Sequence, residues 1–214
     1  MTTPDVLNIY APGLTLLKTV TWEYESLSGL PHTEVLTNMK WSPNGGALAL
    51  ALDELTIVDL ESFTLKHFFL GSFGGVRDVA WSPKVEDIIC ICGDGTLLRY
   101  SLSRQQRVWL TDWTVDRTPR TVAWSPNGQF LAVGRNQEKV SISNAESGER
   151  IRLLGSSARL IFFNDSRRLA CLTTSTGANV TIQDVITGNT LQEFCALEEG
   201  NGGTLGHWGP ISSL

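Results

Sequence analysis

The sequence predicts an all-β fold built from four copies of one antiparallel unit, and three observations carry that prediction. Apolar runs of strand length alternate with tight turns rich in Gly, Pro, Asn and Asp. No window shows the i, i+3, i+4, i+7 apolar spacing of an amphipathic helix. An aromatic residue closes an apolar strand four times, at intervals of 40, 43 and 39 residues: Trp41, Trp81, Trp124 and Phe163. Self-similarity at such a period is the signature of a repeat array.

The best-preserved copy of the repeat lies at residues 121–134. It consists of an apolar strand ending in Trp, a Ser-Pro-Asn-Gly turn and a second apolar strand. The same turn follows Trp41, a shortened form follows Trp81, and an eroded form stands at residues 164–166. Asn and Gly suit such turns because Asn bonds to nearby backbone groups and Gly adopts a positive φ.

Each copy extends into a unit of four short strands, and the units are expected at about residues 35–70, 76–110, 120–154 and 159–194. Turns such as Asp53-Glu54 and Gly93-Asp94-Gly95 separate the middle strands. The expected strands are 35–41, 47–52, 55–60 and 64–69; 77–81, 88–92, 96–102 and 107–110; 120–124, 130–133, 139–143 and 150–154; and 159–163, 169–174, 180–184 and 190–194.

Four-stranded antiparallel sheets repeating every 40 residues or so are the blades of a β-propeller, in which radial packing protects the sheet edges. Over practically all of its length, the chain resembles the WD-repeat (tryptophan-aspartate) propellers. The resemblance rests on the Ser-Pro-Asn-Gly turns and on the third strands. Those strands end in Val58-Asp59, Tyr100-Ser101, Ser143-Asn144 and Gln183-Asp184. The Asp survives twice and the Trp never, so the family's usual hydrogen-bonded set of His, Ser or Thr, Asp and Trp is incomplete in every unit.

The two ends of the chain indicate a partial blade. Residues 5–22 look like the last two strands of a unit, and residues 205–214 look like the first strand of a further one. WD-repeat propellers most often have seven blades, so the favoured interpretation is a single propeller that is incomplete. The alternative is a five-bladed ring with one blade patched from both ends. An open propeller would expose strand edges and apolar blade faces and should associate.

Composition narrows the classes of function. A net charge of -5 and a pI near 5.2 argue against a general binder of nucleic acid, which needs clustered Lys and Arg. No window reaches 18 consecutive apolar residues, and the N-terminus has no secretory pattern. We therefore expect a cytoplasmic protein, with a nuclear location as an alternative, that is not secreted.

Catalytic and metal-binding patterns are missing from the sequence. There is no Gly-x-Ser-x-Gly, no phosphate-binding glycine loop, no His-x-x-x-His and no Cys-x-x-Cys. Cys90 and Cys92 share one face of a strand, and buried, reduced thiols account for them better than a metal pair. His32, His67 and His207 do not fall at equivalent positions of the units. We expect no catalytic residues, no metal and no cofactor.

One positional coincidence points to binding. Four residues before the aromatic anchor, three successive units carry Arg77, Arg120 and Arg159, while the first unit has Thr37. In a propeller these positions lie on a ring at the start of the innermost strands, near one mouth of the central channel. The resemblance implies that partner peptides dock on that face. Three guanidiniums there could hold a carboxylate-rich or phosphorylated segment; the alternative is three unrelated surface arginines paired with neighbours such as Asp78 or Glu34.

A second candidate is the cluster of Arg107, Trp109 and Trp113, since Trp and Arg commonly anchor interfaces. Trp109 is expected to pack against a neighbouring blade and Trp113 to lie in the following loop. The sequence thus predicts a non-enzymatic scaffold of a multiprotein assembly that binds other proteins. The rivals are a propeller hydrolase or lactonase acting on a small molecule, which would need converging His and carboxylates, and a nucleic-acid-associated propeller.

Overall fold

The computed structural model describes residues 5–10, 15–22, 36–68, 70, 74–84, 86–112, 119–135, 139–157, 159–173 and 179–195. All regular structure in these ranges is β-strand. A two-stranded sheet, β1 (Asp5–Tyr10) and β2 (Leu16–Trp22), precedes four four-stranded sheets, here called blades one to four. Within the described residues no helix is long and apolar enough to cross a bilayer.

Each blade is an antiparallel meander in which consecutive strands pair. Blade one contains β3 (Asn38–Trp41), β4 (Ala47–Ala51), β5 (Leu55–Asp59) and β6 (Leu65–Phe68); blade two contains β7 (Val76–Trp81), β8 (Asp87–Cys92), β9 (Thr96–Ser101) and β10 (Gln106–Asp112). Blade three contains β11 (Pro119–Trp124), β12 (Phe130–Arg135), β13 (Lys139–Asn144) and β14 (Arg150–Ser156); blade four contains β15 (Arg159–Phe162), β16 (Arg168–Thr173), β17 (Asn179–Asp184) and β18 (Thr190–Cys195).

The blades pack radially through their first strands. Strand β3 lies against β7, β7 against β11, and β11 against β15. The core is divided into layers, and each layer combines residues from two successive blades. Val79 and Ala49 share the layer between blades one and two, Val122 and Leu97 the next, and Leu160 and Ile142 the third. Apolar residues on both faces of blades one to three are therefore buried, which fits the low share of charged residues, 18%.

The Ser-Pro-Asn-Gly turns have one structure in blades one and three. In blade three the Ser125 hydroxyl donates to Asn127 Oδ1 (2.8 Å) and accepts from the Phe130 N–H (2.9 Å). Gly128 holds a φ of 78°, which is favourable only for glycine. Ser42 makes the matching bonds in blade one. The sequence of the turn therefore fixes the hairpin that joins the innermost strand to the second.

The surviving Asp of the third strand has a local role. Asp59 Oδ1 accepts the N–H groups of the second and third residues after it, at 3.1 and 2.8 Å. Asn144 and Asp184 cap the corresponding turns of blades three and four in the same way. Asn can replace Asp here because each needs only one side-chain oxygen.

The four aromatic anchors do not share one environment. Trp81 is 7% exposed, and its indole N–H donates to the Lys40 carbonyl oxygen of blade one at 2.9 Å. Trp41 is 58% exposed, because no innermost strand precedes β3 in the described part of the chain. Leu7 of β1 packs against the other face of blade one, beside Leu48 and Val58. The assignment of residues 5–22 to a preceding blade stays a prediction. The first strand predicted at 205–214 lies outside the described residues.

Candidate functional site: the channel mouth

The three sequence-predicted arginines stand at the starts of adjacent innermost strands. Arg77 is the second residue of β7, Arg120 the second of β11 and Arg159 the first of β15, and all three are exposed. Because β7 lies against β11 and β11 against β15, the three starts lie along one edge of the blade array. We call this set, together with Thr37 just before β3, the channel mouth.

A local irregularity sets the position of two of these arginines. In β7 the pairing runs from Val76 to Asp78 and skips Arg77; in β11 it runs from Pro119 to Thr121 and skips Arg120. A β-bulge of this kind takes one residue out of the ladder and redirects its side chain. Arg159 instead pairs directly with Leu172. Across the described residues, no ion pair involves any of the three arginines.

Thr37 takes part in the structure between blades one and two. Its hydroxyl lies within hydrogen-bonding distance of the carbonyl oxygens of Ala51 (3.0 Å) and Val76 (2.8 Å). It stands beside the arginines, but its hydroxyl is already engaged. Thr37 therefore links blade one to Val76, the residue that precedes Arg77 in β7.

Asp78 lies directly beneath the channel mouth and connects three blades. It is 1% exposed. Its Oδ1 accepts from Asn38 Nδ2 of blade one at 2.7 Å, and its Oδ2 accepts from the Val122 N–H of blade three at 2.8 Å. The Thr121 hydroxyl is a further donor to the carboxyl. The edge from which Arg77 and Arg120 project is thereby fixed by one carboxylate.

The charge state of Asp78 depends on two opposing effects. Burial raises the pKa of Asp78 above its usual value of 3.8, while the bonds from Val122 and Val79 and the charge of Lys40 act in the opposite direction. Desolvation is the larger effect. Sequence reasoning treated Asp78 only as a possible salt-bridge partner of an arginine; the available signal was the row Asn38, Asp78 and Thr121, three residues before successive Trp anchors.

The Arg107, Trp109 and Trp113 cluster is divided by the structure. The Trp109 indole N–H donates to the Ala145 carbonyl oxygen of blade three at 3.2 Å, and its ring packs against the layer between blades two and three. Trp109 therefore packs against the neighbouring blade, as predicted. Arg107 is exposed on β10, and Trp113 lies outside the described residues.

Other titratable groups lie away from the channel mouth. Cys90, Cys92 and Cys171 are buried, and burial raises the pKa of Cys90 well above its usual value and that of Cys171 to about 12. Arg99 joins blades two and three, since it bonds Asp87 Oδ2 and Glu146 Oε2, each at 2.6 Å.

Within the described ranges, no group of three His, Cys, Asp or Glu residues could hold a metal ion. His67 lies in β6, while His32 and His207 fall outside those ranges.

Comparison with known proteins supports the resemblance to WD-repeat propellers. A family model described as the anaphase-promoting complex subunit 4 WD40 domain matches residues 79–163. The WD repeat-containing protein dyf-2 of Caenorhabditis elegans is 22% identical over 125 residues, which are 57% of this chain and 9% of that protein. Over residues 79–163 the chain is thus similar to the WD-repeat β-propellers. It spans a small part of the length of this curated relative.

Solved structures show the same fold at low identity. A chain in the crystal structure of the Mitotic Checkpoint Complex superposes with a TM-score of 0.75 at 17% identity, covering 90% of this chain and 59% of that one. Hydrazine synthase of Kuenenia stuttgartiensis gives a TM-score of 0.66 at 14% identity, covering 81% and 53%. The first belongs to an assembly and the second is an enzyme, so the fold alone does not assign a function.

Proposed function

We propose that this chain is a non-catalytic scaffold of a protein complex that binds an acidic or phosphorylated segment of a partner at the channel mouth. The observation that carries the proposal is the row of Arg77, Arg120 and Arg159. All three are exposed at the starts of neighbouring innermost strands, and none has a carboxylate partner among the described residues. The WD40 domain that matches this chain is named for a subunit of a complex, which supports an assembly role.

Guanidinium groups suit this task. Each presents parallel N–H donors that can bind both oxygens of a carboxylate or two oxygens of a phosphate, and such charge-assisted bonds are about twice as strong as neutral ones. The network around Asp78 fixes the backbone from which Arg77 and Arg120 project, so little order has to be created on binding. Thr37 borders the site, and Trp113, seven residues before Arg120 in the sequence, is proposed to cover an apolar part of the bound segment.

Fluorescence anisotropy with labelled octaglutamate tests the proposal on the full chain. Replacing Arg77, Arg120 or Arg159 singly by Ala should weaken binding about threefold to tenfold, as expected for the loss of one charge-assisted contact. The control is Arg150→Ala, an exposed arginine on the outer strand of blade three, which should bind like the wild type. Replacing the glutamates by phosphoserines tests the phosphorylated form of the ligand.

Two results would count against this function. If the triple Ala variant binds octaglutamate as tightly as the wild type does, the arginines are unrelated surface residues. If a single-stranded oligonucleotide of equal charge displaces octaglutamate at a lower concentration than unlabelled octaglutamate itself does, the site recognises a nucleic-acid backbone. The predicted cytoplasmic or nuclear location stays a prediction.

A further inference from the structure

A second recess lies on the outer side of the molecule, between blades one and two. It has a volume of about 440 Å³, is open to solvent, and is lined by Lys66, His67 and Phe68 of β6 together with Tyr100 of β9 and Gln105 of the following turn. We call it the side groove. Its size lies within the range of ordinary ligand sites.

The floor of the side groove is aromatic and carries a polar group. The rings of Phe68 and Tyr100 meet edge to face with centroids 5.5 Å apart. Tyr100 is 7% exposed, and burial raises the pKa of its hydroxyl. The ring offers an apolar contact surface, and the hydroxyl at its tip can donate a hydrogen bond to a ligand or accept one.

The groove is also distinct from the corresponding places in the repeat. Tyr100 stands in the third strand where blades one, three and four carry Val58, Ser143 and Gln183. These are the positions of the Trp in the family's Trp-Asp pair. Among the described blades, only blade two has an aromatic residue there.

Two cationic side chains lie in or beside the side groove. Lys66 lines it from β6, next to His67. Arg107, beside the groove, pairs directly across the ladder with Tyr100, so that the two side chains share one face of blade two. His67 Nδ1 lies 2.9 Å from the Thr56 hydroxyl. No carboxylate lines the groove among the described residues, although the chain as a whole has a net charge of -5.

The shape favours an extended chain. Strands β6 and β10 are the outer strands of their sheets, and each pairs with one strand only in the described part of the protein. Their outer backbone N–H and C=O groups can bond to a peptide running alongside. The groove is separated from the channel mouth by the width of the sheet, about 14 Å from β7 to β10 at the usual strand spacing.

We propose that the side groove binds an extended acidic segment of a partner protein, which inserts one aromatic side chain against Phe68 and Tyr100. Carboxylates flanking that side chain pair with Lys66 and Arg107, and a backbone group of the segment bonds to the Tyr100 hydroxyl. The site is independent of the channel mouth, and the chain would hold two acidic segments at once.

Backbone NMR of the full, isotope-labelled chain tests this. The probe is the capped peptide Gly-Glu-Glu-Phe-Glu-Glu-Gly, with versions carrying Ala for Phe and Lys for Glu as controls. We expect amide shifts at Lys66, Phe68, Tyr100 and Gln105, and none for either control peptide at the same concentration. Tyr100→Phe keeps the ring and should weaken binding about fivefold, the value of one hydrogen bond.

Charge variants distinguish binding in the side groove from nonspecific electrostatic attraction to the chain. Lys66→Glu combined with Arg107→Glu should weaken binding by about tenfold or more. Arg150→Glu is the matched control, because Arg150 occupies the same register in blade three but pairs with Ser143 instead of an aromatic residue. Shifts that appear at the channel mouth instead, equal binding of the Lys peptide, or unchanged affinity in the Lys66→Glu, Arg107→Glu variant would overturn the proposal.

Discussion

Replacement of Asp78 by Ala should destabilise the chain more than any change at an exposed carboxylate. Asp78 is 1% exposed and accepts from Asn38 Nδ2 and from the N–H groups of Val79 and Val122, at 2.7 to 2.9 Å. The Ala variant leaves the Val122 N–H and the Asn38 amide without their acceptor, at about 1–3 kcal/mol each. Relief of the carboxylate's desolvation offsets part of this, which leaves a net loss of about 3 kcal/mol.

Urea unfolding, monitored by circular dichroism, measures this loss in the free energy of unfolding. In a thermal melt of a chain of this length, a loss of about 3 kcal/mol corresponds to a fall in melting temperature of roughly 6–12 °C. Glu61→Ala, at an exposed turn position, is the control and should change stability by less than about 0.5 kcal/mol. A loss for Asp78→Ala no larger than that of the control would refute the assignment of Asp78 as a connection between blades.

The pH dependence of Asp78 provides a second arm of the same experiment. Because burial raises its pKa above 3.8, the folded state binds the proton more tightly than the unfolded state does. The stability contributed by this proton is complete below 3.8 and is lost as the pH rises through the raised pKa. The stability difference between wild type and Asp78→Asn should therefore move against the wild type as the pH rises through that window. An increase in the stability of the wild type relative to Asp78→Asn over this window would contradict the raised pKa.

Two further predictions concern turns. Gln105 holds a φ of 52°, and the matching turn of blade three has Gly148 at 74°. Because a positive φ strains a residue other than Gly, Gln105→Gly should stabilise the chain by about 0.5–1 kcal/mol in urea unfolding. A destabilisation would show that the Gln105 side chain contributes more than its backbone strain costs. Asp184 has a pKa of about 2, lowered chiefly by the Thr187 N–H and then by Arg167. Its stabilising effect is present above 3.8 and lost as the pH falls toward 2, so the melting temperature of Asp184→Asn should fall less than that of the wild type over this interval, and an equal fall would contradict the assignment.

Much of the fold could be predicted because its signals are local. The turn after Trp124 depends on the Ser125 and Asn127 side chains and on the positive φ of Gly128, all within one four-residue stretch. The sequence of that stretch is therefore enough to identify the turn. The period between anchors then sets the repeat. The resemblance to WD-repeat propellers is confirmed, and so is the all-β propeller architecture with its four-stranded antiparallel blades.

The contacts between blades could not be predicted in this way. Asn38, Asp78 and Val122 are about 40 residues apart along the chain and meet only after three sheets have packed. The same limit explains the aromatic anchors: Trp41 and Trp81 occupy one position of the repeat, yet one is exposed and the other buried, because burial depends on the preceding blade. The β-bulges at Arg77 and Arg120 have no signal in a single sequence either.

The side groove was missed for a related reason. Phe68 and Tyr100 belong to different blades, so their rings meet only after the two blades have packed. The Tyr at the position of the family's Trp was visible in the sequence, but the side chains that surround it are set by the packing of the blades.

A charge-swap measurement at the channel mouth tests the central claim most directly. The triple variant Arg77→Glu, Arg120→Glu, Arg159→Glu is compared by anisotropy with a variant carrying Lys84→Glu, Arg104→Glu and Arg150→Glu, which are exposed positions with the same change in net charge. The account predicts that the first variant loses octaglutamate and binds octalysine, while the second retains octaglutamate. Retention of octaglutamate by the first variant, or equal behaviour of the two, would contradict it.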